Sequence, residues 1–160
     1  MRKILIALGF FVWCSPALST KIEEKPLIDM VAESDHILIG VVKAVDMVDG
    51  TGQEVTDLGG RTGFGYTNTI RLTVAVQRDG ILKTNKADTP DMLTVSLWKE
   101  WIATLGDMQY LSGKEYIFLL RGEDYQIVYP SGFYQELSKR NEIEKMIRSI
   151  PVAPSMEGRM

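Results

Sequence analysis

Residues Thr69 to Gln77, read TIRLTVAVQ, change from polar to apolar at nearly every step. That is the period of an extended strand with one buried face and one face turned to solvent or a partner. Met92 to Trp98, MLTVSLW, repeats the pattern: Leu93, Val95 and Leu97 are predicted inward, and Thr94, Ser96 and Trp98 outward. The stretch SDHILIGVVKAV, Ser34 to Val45, is different. After His36 its apolar residues fall on both faces, with Ile37, Ile39, Val41 and Val45 on one and Leu38, Val42 and Ala44 on the other. A strand of roughly ten residues that is apolar on both sides is a central, covered strand. Glu115 to Leu120 reads as another buried strand, and Tyr125 to Tyr129 returns as its hairpin partner after a turn at Arg121-Gly122-Glu123-Asp124. Pro130-Ser131-Gly132 then turns toward a short strand at 133–136.

Two segments carry helical spacing instead. Leu27, Met30 and Val31 lie at i, i+3, i+4 behind Pro26, which predicts a short helix ending near Glu33. Ile143, Met146, Ile147 and Ile150 form one apolar stripe on a helix from Lys139 to Ser149. Ser138 is its expected cap, Glu144 and Arg148 an i, i+4 pair, and Pro151 its stop. Between the first two strands, Asp49 to Tyr66 (DGTGQEVTDLGGRTGFGY) is glycine-rich and longer than an ordinary connection, as a mobile or functional loop or hairpin is. Five or six mostly antiparallel strands with a helix at each end predict a mainly β fold. The expected form is a small, closed or partly closed barrel of the oligonucleotide/oligosaccharide-binding (OB) type, one domain over residues 20–150, with a disordered tail at 151–160.

The N-terminal residues change the expected compartment. Arg2 and Lys3, the apolar run Ile4 to Trp13 and the small-residue segment Ser15 to Ser19 have the three parts of a secretory signal, with cleavage expected between Ser19 and Thr20. The apolar run is about half the roughly 20 residues a membrane-spanning helix needs. The expected product is exported, periplasmic or secreted, without a transmembrane segment once the signal is removed. Cys14 is the only cysteine, and Trp13 before it is large where a lipid-attachment signal has a small residue, so lipid anchoring is not expected. Loss of Cys14 with the signal leaves no disulfide, no thiolate nucleophile and no cysteine metal ligand. The chain has 18 basic and 21 acidic residues; without Arg2 and Lys3 the balance is 16 against 21. An acidic exported domain does not fit nucleic acid, whose recognition uses a concentrated basic surface.

Candidate chemistry is sparse. His36 is the only histidine, so a serine–histidine–carboxylate hydrolase would have to use it. Its neighbour Asp35 would point to the opposite face of a strand, and no Gly-x-Ser-x-Gly elbow occurs. The favoured reading of His36 is a strand-initiating residue at the barrel rim; a hydrolase centred on it stands as an alternative. Asp46, Asp49 and Asp57 lie beside glycines, but no alignment on Gly50 or Gly52 puts carboxylates at calcium-loop positions. Gly60-Arg61-Thr62-Gly63-Phe64-Gly65 lacks the Lys-Ser/Thr of a phosphate loop. No cofactor, metal or catalytic residue is expected. Trp98-Lys99-Glu100-Trp101 is the most suggestive feature, because tryptophans on a polar strand face and just past its end anchor protein partners or stack on sugars. The alternative is that both close one end of the barrel beneath the Ile102 to Leu111 connection. The predicted binding surface is Arg71, Thr73, Thr94, Ser96, Trp98 and Trp101 with Tyr66 of the glycine-rich loop, facing an unidentified protein or saccharide.

Three pieces also carry a family resemblance: ESDHI before a strand ending in Lys43-Ala44-Val45, the strand Ile70 to Val76 running into Asp79-Gly80-Ile81-Leu82-Lys83, and SGKEYIFLL from Ser112 to Leu120. Their order resembles the netrin-type domain of the tissue inhibitors of metalloproteinases and similar exported bacterial domains, over most of Leu27 to Tyr129. The resemblance implies an OB-type barrel, and as a second function the inhibition of an extracellular metallopeptidase. The inhibitors chelate their target's metal with a cysteine at the mature N-terminus. Here the only counterpart is Cys14, and the expected terminus, Thr20, has no thiol.

Overall fold

The computed structural model describes residues 23–150. The expected signal, Cys14 and the expected tail lie outside the described residues. The protein is mainly β. Helix α1 (Leu27–Glu33) leads into β1 (His36–Val48); β2 (Thr69–Lys83) and β3 (Met92–Ser96) follow the glycine-rich loop. A short α2 (Leu105–Met108) precedes β4 (Glu115–Arg121), β5 (Gln126–Ile127) and β6 (Tyr134–Gln135), and α3 (Arg140–Ser149) ends the described chain. The strands form one antiparallel sheet in the order β3-β2-β1-β4-β5, with β6 also on β4. Among the described residues no helix is long and apolar enough to cross a membrane.

β1 is central, as its two apolar faces require, but it is not a regular strand. Its register against β2 shifts between Ile37 and Leu38, between Leu38 and Gly40, and between Val42 and Ala44. An extra residue in one strand turns every later side chain to the opposite face. Val45 and Met47 therefore join Leu38 and Val42 in the interior cluster, and Ala44 is exposed. This corrects the strict alternation expected for Val45 and Ala44. Gly40 sits at one of these shifts because a Cβ there would lie 2.5 Å from Val74 Cγ1 and 2.9 Å from the Ala75 carbonyl oxygen.

Both long strands outrun their apolar patterns. β2 continues through Arg78, Asp79 and Gly80 to place Ile81 opposite Leu38 and Lys83 opposite Ile37, since backbone pairing does not depend on side-chain polarity. The interior layer joins Leu38, Val42, Ile70, Leu72, Val74, Leu93, Val95, Phe118, Leu120 and Phe133. On the other face, Ile37, Ile39, Ile117 and Leu119 are covered by Met30 and Val31 of α1 and Ile143 of α3, with Met146, Ile147 and Ile150 at the rim. The sheet curls until Cα atoms of its two edges, β3 and β5, come within 8 Å. Those edges are not paired, so hydrogen bonding does not close the sheet into a barrel.

Two local expectations need correction. The 102–111 connection is partly helical: Thr104 Oγ1 accepts the Asp107 N–H at 3.0 Å, capping α2, and a 3-10 turn at Gln109–Leu111 follows. Ser138 does not cap α3; it lies in a 3-10 turn, Leu137–Lys139, and α3 begins at Arg140 behind Lys139 without a side-chain cap. Lys139 with Glu142 and Arg140 with Glu144 support its first turns instead.

Candidate functional site

The outward face of β2 and β3 is arranged in rows across the sheet. Arg71 lies between Asp46 of β1 and Ser96 of β3, and Thr73 lies between Ala44 and Thr94. Thr94 and Ser96 are exposed and Thr73 half-buried, as alternation requires. Arg71 is already committed: its Nη2 is 2.6 Å and its Nε 2.7 Å from Asp46 Oδ1. This face is therefore polar and locally neutral, without a free cation at Arg71.

At the β1–β2 end of the sheet the glycine-rich loop is tied to the segment after β3. Gly106 N–H donates to the Leu58 carbonyl (2.9 Å), Leu105 N–H to Gly60 (3.0 Å), Thr62 N–H to Ala103 (3.0 Å) and Gly63 N–H to Lys99 (2.8 Å). The Thr62 hydroxyl is buried and donates to the Trp101 carbonyl at 2.5 Å. Gly63 has φ +117, and a Cβ there would lie 2.9 Å from Ile102 Cγ1, so the two segments pack as closely as glycine permits. The expected flexible loop is thus an irregular two-stranded ladder.

These joined loops hold large apolar side chains in water. Phe64 is 78% and Ile102 74% exposed, and Leu58, Tyr66 and Trp98 are also exposed. Trp98 and Tyr66 are exposed, whereas Trp101 is half-buried and packs on the interior cluster. Leu58, Phe64 and Ile102 were missed by sequence reasoning, because apolar residues in a loop look the same whether they fold inward or outward. The glycines flanking Phe64 were the available signal, since they leave it no packing neighbours on its own segment.

The aspartates of this region serve the fold. Asp46 holds Arg71, and Asp57 accepts from Gly59 N–H at 2.9 Å. Asp49 accepts from the Thr51 hydroxyl (2.7 Å) and from Thr51 and Gln53 N–H (2.8 and 3.0 Å). The Thr51 hydroxyl first, then the backbone donors, hold its carboxyl below the ordinary 3.8. Among the described residues no group of three or more His, Cys, Asp or Glu converges as a metal site.

His36 lies at the other end, fully buried at the start of β1. A carbonyl only accepts, so Nε2 carries the proton it donates to Gly122 at 3.1 Å. Nδ1 is 2.9 Å from Thr84 Oγ1, which also accepts the Lys86 N–H. Its ring packs 4.5 Å from that of Tyr125, whose φ of +53 is sterically unusual for a residue with a Cβ. Asp35 Oδ2 accepts the Gly122 N–H at 2.6 Å. Both nitrogens of His36 are engaged inside the fold, and its neighbours there are a threonine, a carbonyl and a tyrosine.

A groove of about 600 Å³ runs along the open seam, between Thr94 and Ser96 of β3 with Trp98 just past its end and the β5 side (Gln126 to Pro130). A scan against protein-family models finds no match for this chain, and a search of curated proteins finds no relative.

Proposed function

We propose that the protein is an exported, non-enzymatic binding module on an OB-type barrel, and that it recognises a protein partner with the β1–β2 end of the sheet. The observation that carries this reading is the group of five exposed apolar side chains, Leu58, Phe64, Tyr66, Trp98 and Ile102, on two loops held together by backbone hydrogen bonds. Exposed apolar groups gathered on a rigid support mark interaction surfaces, and aromatic anchors dominate the energy of such surfaces. Covering Trp98 or Phe64 in a partner's pocket is worth about 2 kcal/mol each. The mix of aliphatic with aromatic side chains favours a protein over a saccharide, which stacks on aromatic rings alone.

The strand order supports the OB-type reading. β1 pairs with both β2 and β4, and the remaining edges, β3 and β5, approach one another. In that architecture the β2–β3 face and the loops at its borders take the ligand, which is where Thr73, Thr94, Ser96 and Trp98 lie. The resemblance to netrin-type domains belongs to the same proposal. For peptidase inhibition the deciding residues precede Glu23, and no described residue favours it.

The test is to identify the partner from the host's exported fraction by crosslinking through Tyr66, then to measure its affinity for purified variants. Phe64→Ser with Trp98→Ala is expected to weaken binding by more than about a hundredfold, from the loss of two anchors. An unchanged affinity in this pair would place recognition elsewhere.

A further inference from the structure

We propose that the protein's partner is a second copy of itself, joined in a two-fold symmetric dimer through the ladder of loops; this rests on the surface proposed above and names what covers it. Four of the five exposed apolar residues surround Gly63. Phe64 follows it in the chain, Tyr66 N–H donates to its carbonyl at 3.1 Å, and Trp98 precedes Lys99, whose carbonyl accepts the Gly63 N–H at 2.8 Å. Ile102 Cγ1 lies 2.9 Å from where a Cβ on Gly63 would be. Leu58 stands at the far end of the ladder, on the rung it makes with Gly106.

Area carries the first part of the inference. Phe64 is 78%, Ile102 74%, Leu58 60%, Tyr66 51% and Trp98 46% exposed. Against the roughly 150–250 Å² that a large side chain offers, these fractions leave about 600 Å² of each copy in water. That is the upper end of the largest apolar patch, about 300–600 Å², found on an ordinary monomer. Two copies face to face cover about 1,200 Å² with these residues alone, and a stable interface needs roughly 1,200–2,000 Å² in all. The two segments are tied to one another by four backbone hydrogen bonds, so little freedom is lost on docking.

Charge selects the second copy. The exposed charges of the ladder are sorted by end: Asp57 and Asp107 flank the Leu58–Gly106 rung, whereas Arg61 precedes Thr62 and Lys99 holds Gly63. None of these four has an ion-pair partner among the described residues. Of the neighbouring carboxylates, Glu100 is half-buried and Glu54 lies before the ladder, beside Val48. A surface with opposite charges at its two ends is complementary to itself. A two-fold axis across the middle of the ladder lays the acidic end of each copy on the basic end of the other. The same rotation sets Phe64 of each copy against Leu58 of the other.

The measurement is sedimentation equilibrium of the purified protein over a concentration series. Expected is a monomer–dimer equilibrium with Kd below about 10 μM, weakened more than about a hundredfold in Phe64→Ser with Ile102→Ser. Two charge variants test the symmetry. Asp57→Asn with Asp107→Lys keeps the side-chain oxygen that accepts the Gly59 N–H but turns the acidic end basic. Arg61→Glu with Lys99→Glu turns the basic end acidic. Each alone is expected to lose about tenfold in self-association, and an equimolar mixture of the two to regain dimers, because every end then meets its opposite. Regained dimers also show that both variants fold. The proposal is overturned by a protein that stays monomeric up to about 1 mM, by assemblies that grow past two copies, by charge variants that dimerise like the parent, or by a mixture that does no better than its parts. A monomeric protein whose Tyr66 crosslink captures a different exported protein overturns the dimer and leaves the partner surface standing. Dimers that persist in Phe64→Ser with Ile102→Ser also overturn it, and the partner affinity of Phe64→Ser with Trp98→Ala then decides the surface by itself.

Discussion

The two ends of the curled sheet treat their side chains in opposite ways. At the β4–β5 turn, a polar ring is drawn inside and both its nitrogens are satisfied: buried His36 bonds Thr84 and Gly122, and the half-buried Asp35 accepts the Gly122 N–H. At the β1–β2 end, apolar groups are left outside on backbone that is itself well bonded. A buried polar group is costly unless paired, so the first arrangement belongs to folding. An exposed phenylalanine adds nothing to folding, so the second is free to serve recognition. The lone histidine, which attracts attention in the sequence, is at the structural end.

Removing the histidine should have the largest effect. His36→Ala leaves the Gly122 carbonyl and the Thr84 hydroxyl without their partner and opens a cavity, so a loss of about 3 kcal/mol is expected in urea unfolding. A loss below about 0.5 kcal/mol, the level of an ordinary surface change, would break the comparison at once. At the other end, Gly63→Ala forces a side chain into a left-handed conformation against Ile102. It should cost about 1–3 kcal/mol and weaken partner binding as well, because the two loops must separate. Binding that survives this strain would mean the loops need not be held together.

Smaller changes sharpen the contrast. The Tyr125 hydroxyl is buried without a hydrogen-bond partner among the described residues. Tyr125→Phe should therefore stabilise the protein by about 1 kcal/mol; a comparable loss would reveal a bound water at the locked end. Phe64→Ser with Ile102→Ser should leave stability within about 0.5 kcal/mol while abolishing partner binding, and a clear drop in melting temperature would assign both residues to packing. The smallest effect is acid loosening of the 49–53 turn. Asp49's carboxyl is held below 3.8, so its contribution is complete above the unfolded-state value and lost as pH falls through the lower folded value. Amide exchange at Thr51 and Gln53 should rise only in that acid window, and Asp49→Ala should remove the dependence.

Tyr116 of β4 and Tyr134 of β6, half-buried against the interior cluster, form a further structural cluster with Tyr110. Tyr110 and Tyr134 hydroxyls lie 2.6 Å apart. Burial first, then the Tyr110 hydroxyl, pushes Tyr134 up, and burial first pushes Tyr116 up. Their spacing over 24 residues of chain could not be anticipated from alternation.

What the sequence determined by itself is the material of the fold. Period-two alternation at 69–77 and 92–98 set which side of β2 and β3 is wet, and the apolar stripe of 143–150 set the face that α3 buries. Those patterns hold because strand and helix periods are local properties of the backbone. Tertiary structure alone decided the rest. The bulges of β1 moved Val45 inside and Ala44 out, because register is fixed by the partner strand and not by the strand's own residues. It packed a half-buried Trp101 on the interior and left Trp98 exposed, and bound Arg71 to Asp46 from 25 residues away. It also left Leu58, Phe64 and Ile102 exposed on segments joined by backbone hydrogen bonds, since only packing between distant segments determines whether an apolar side chain in a loop finds a neighbour or water.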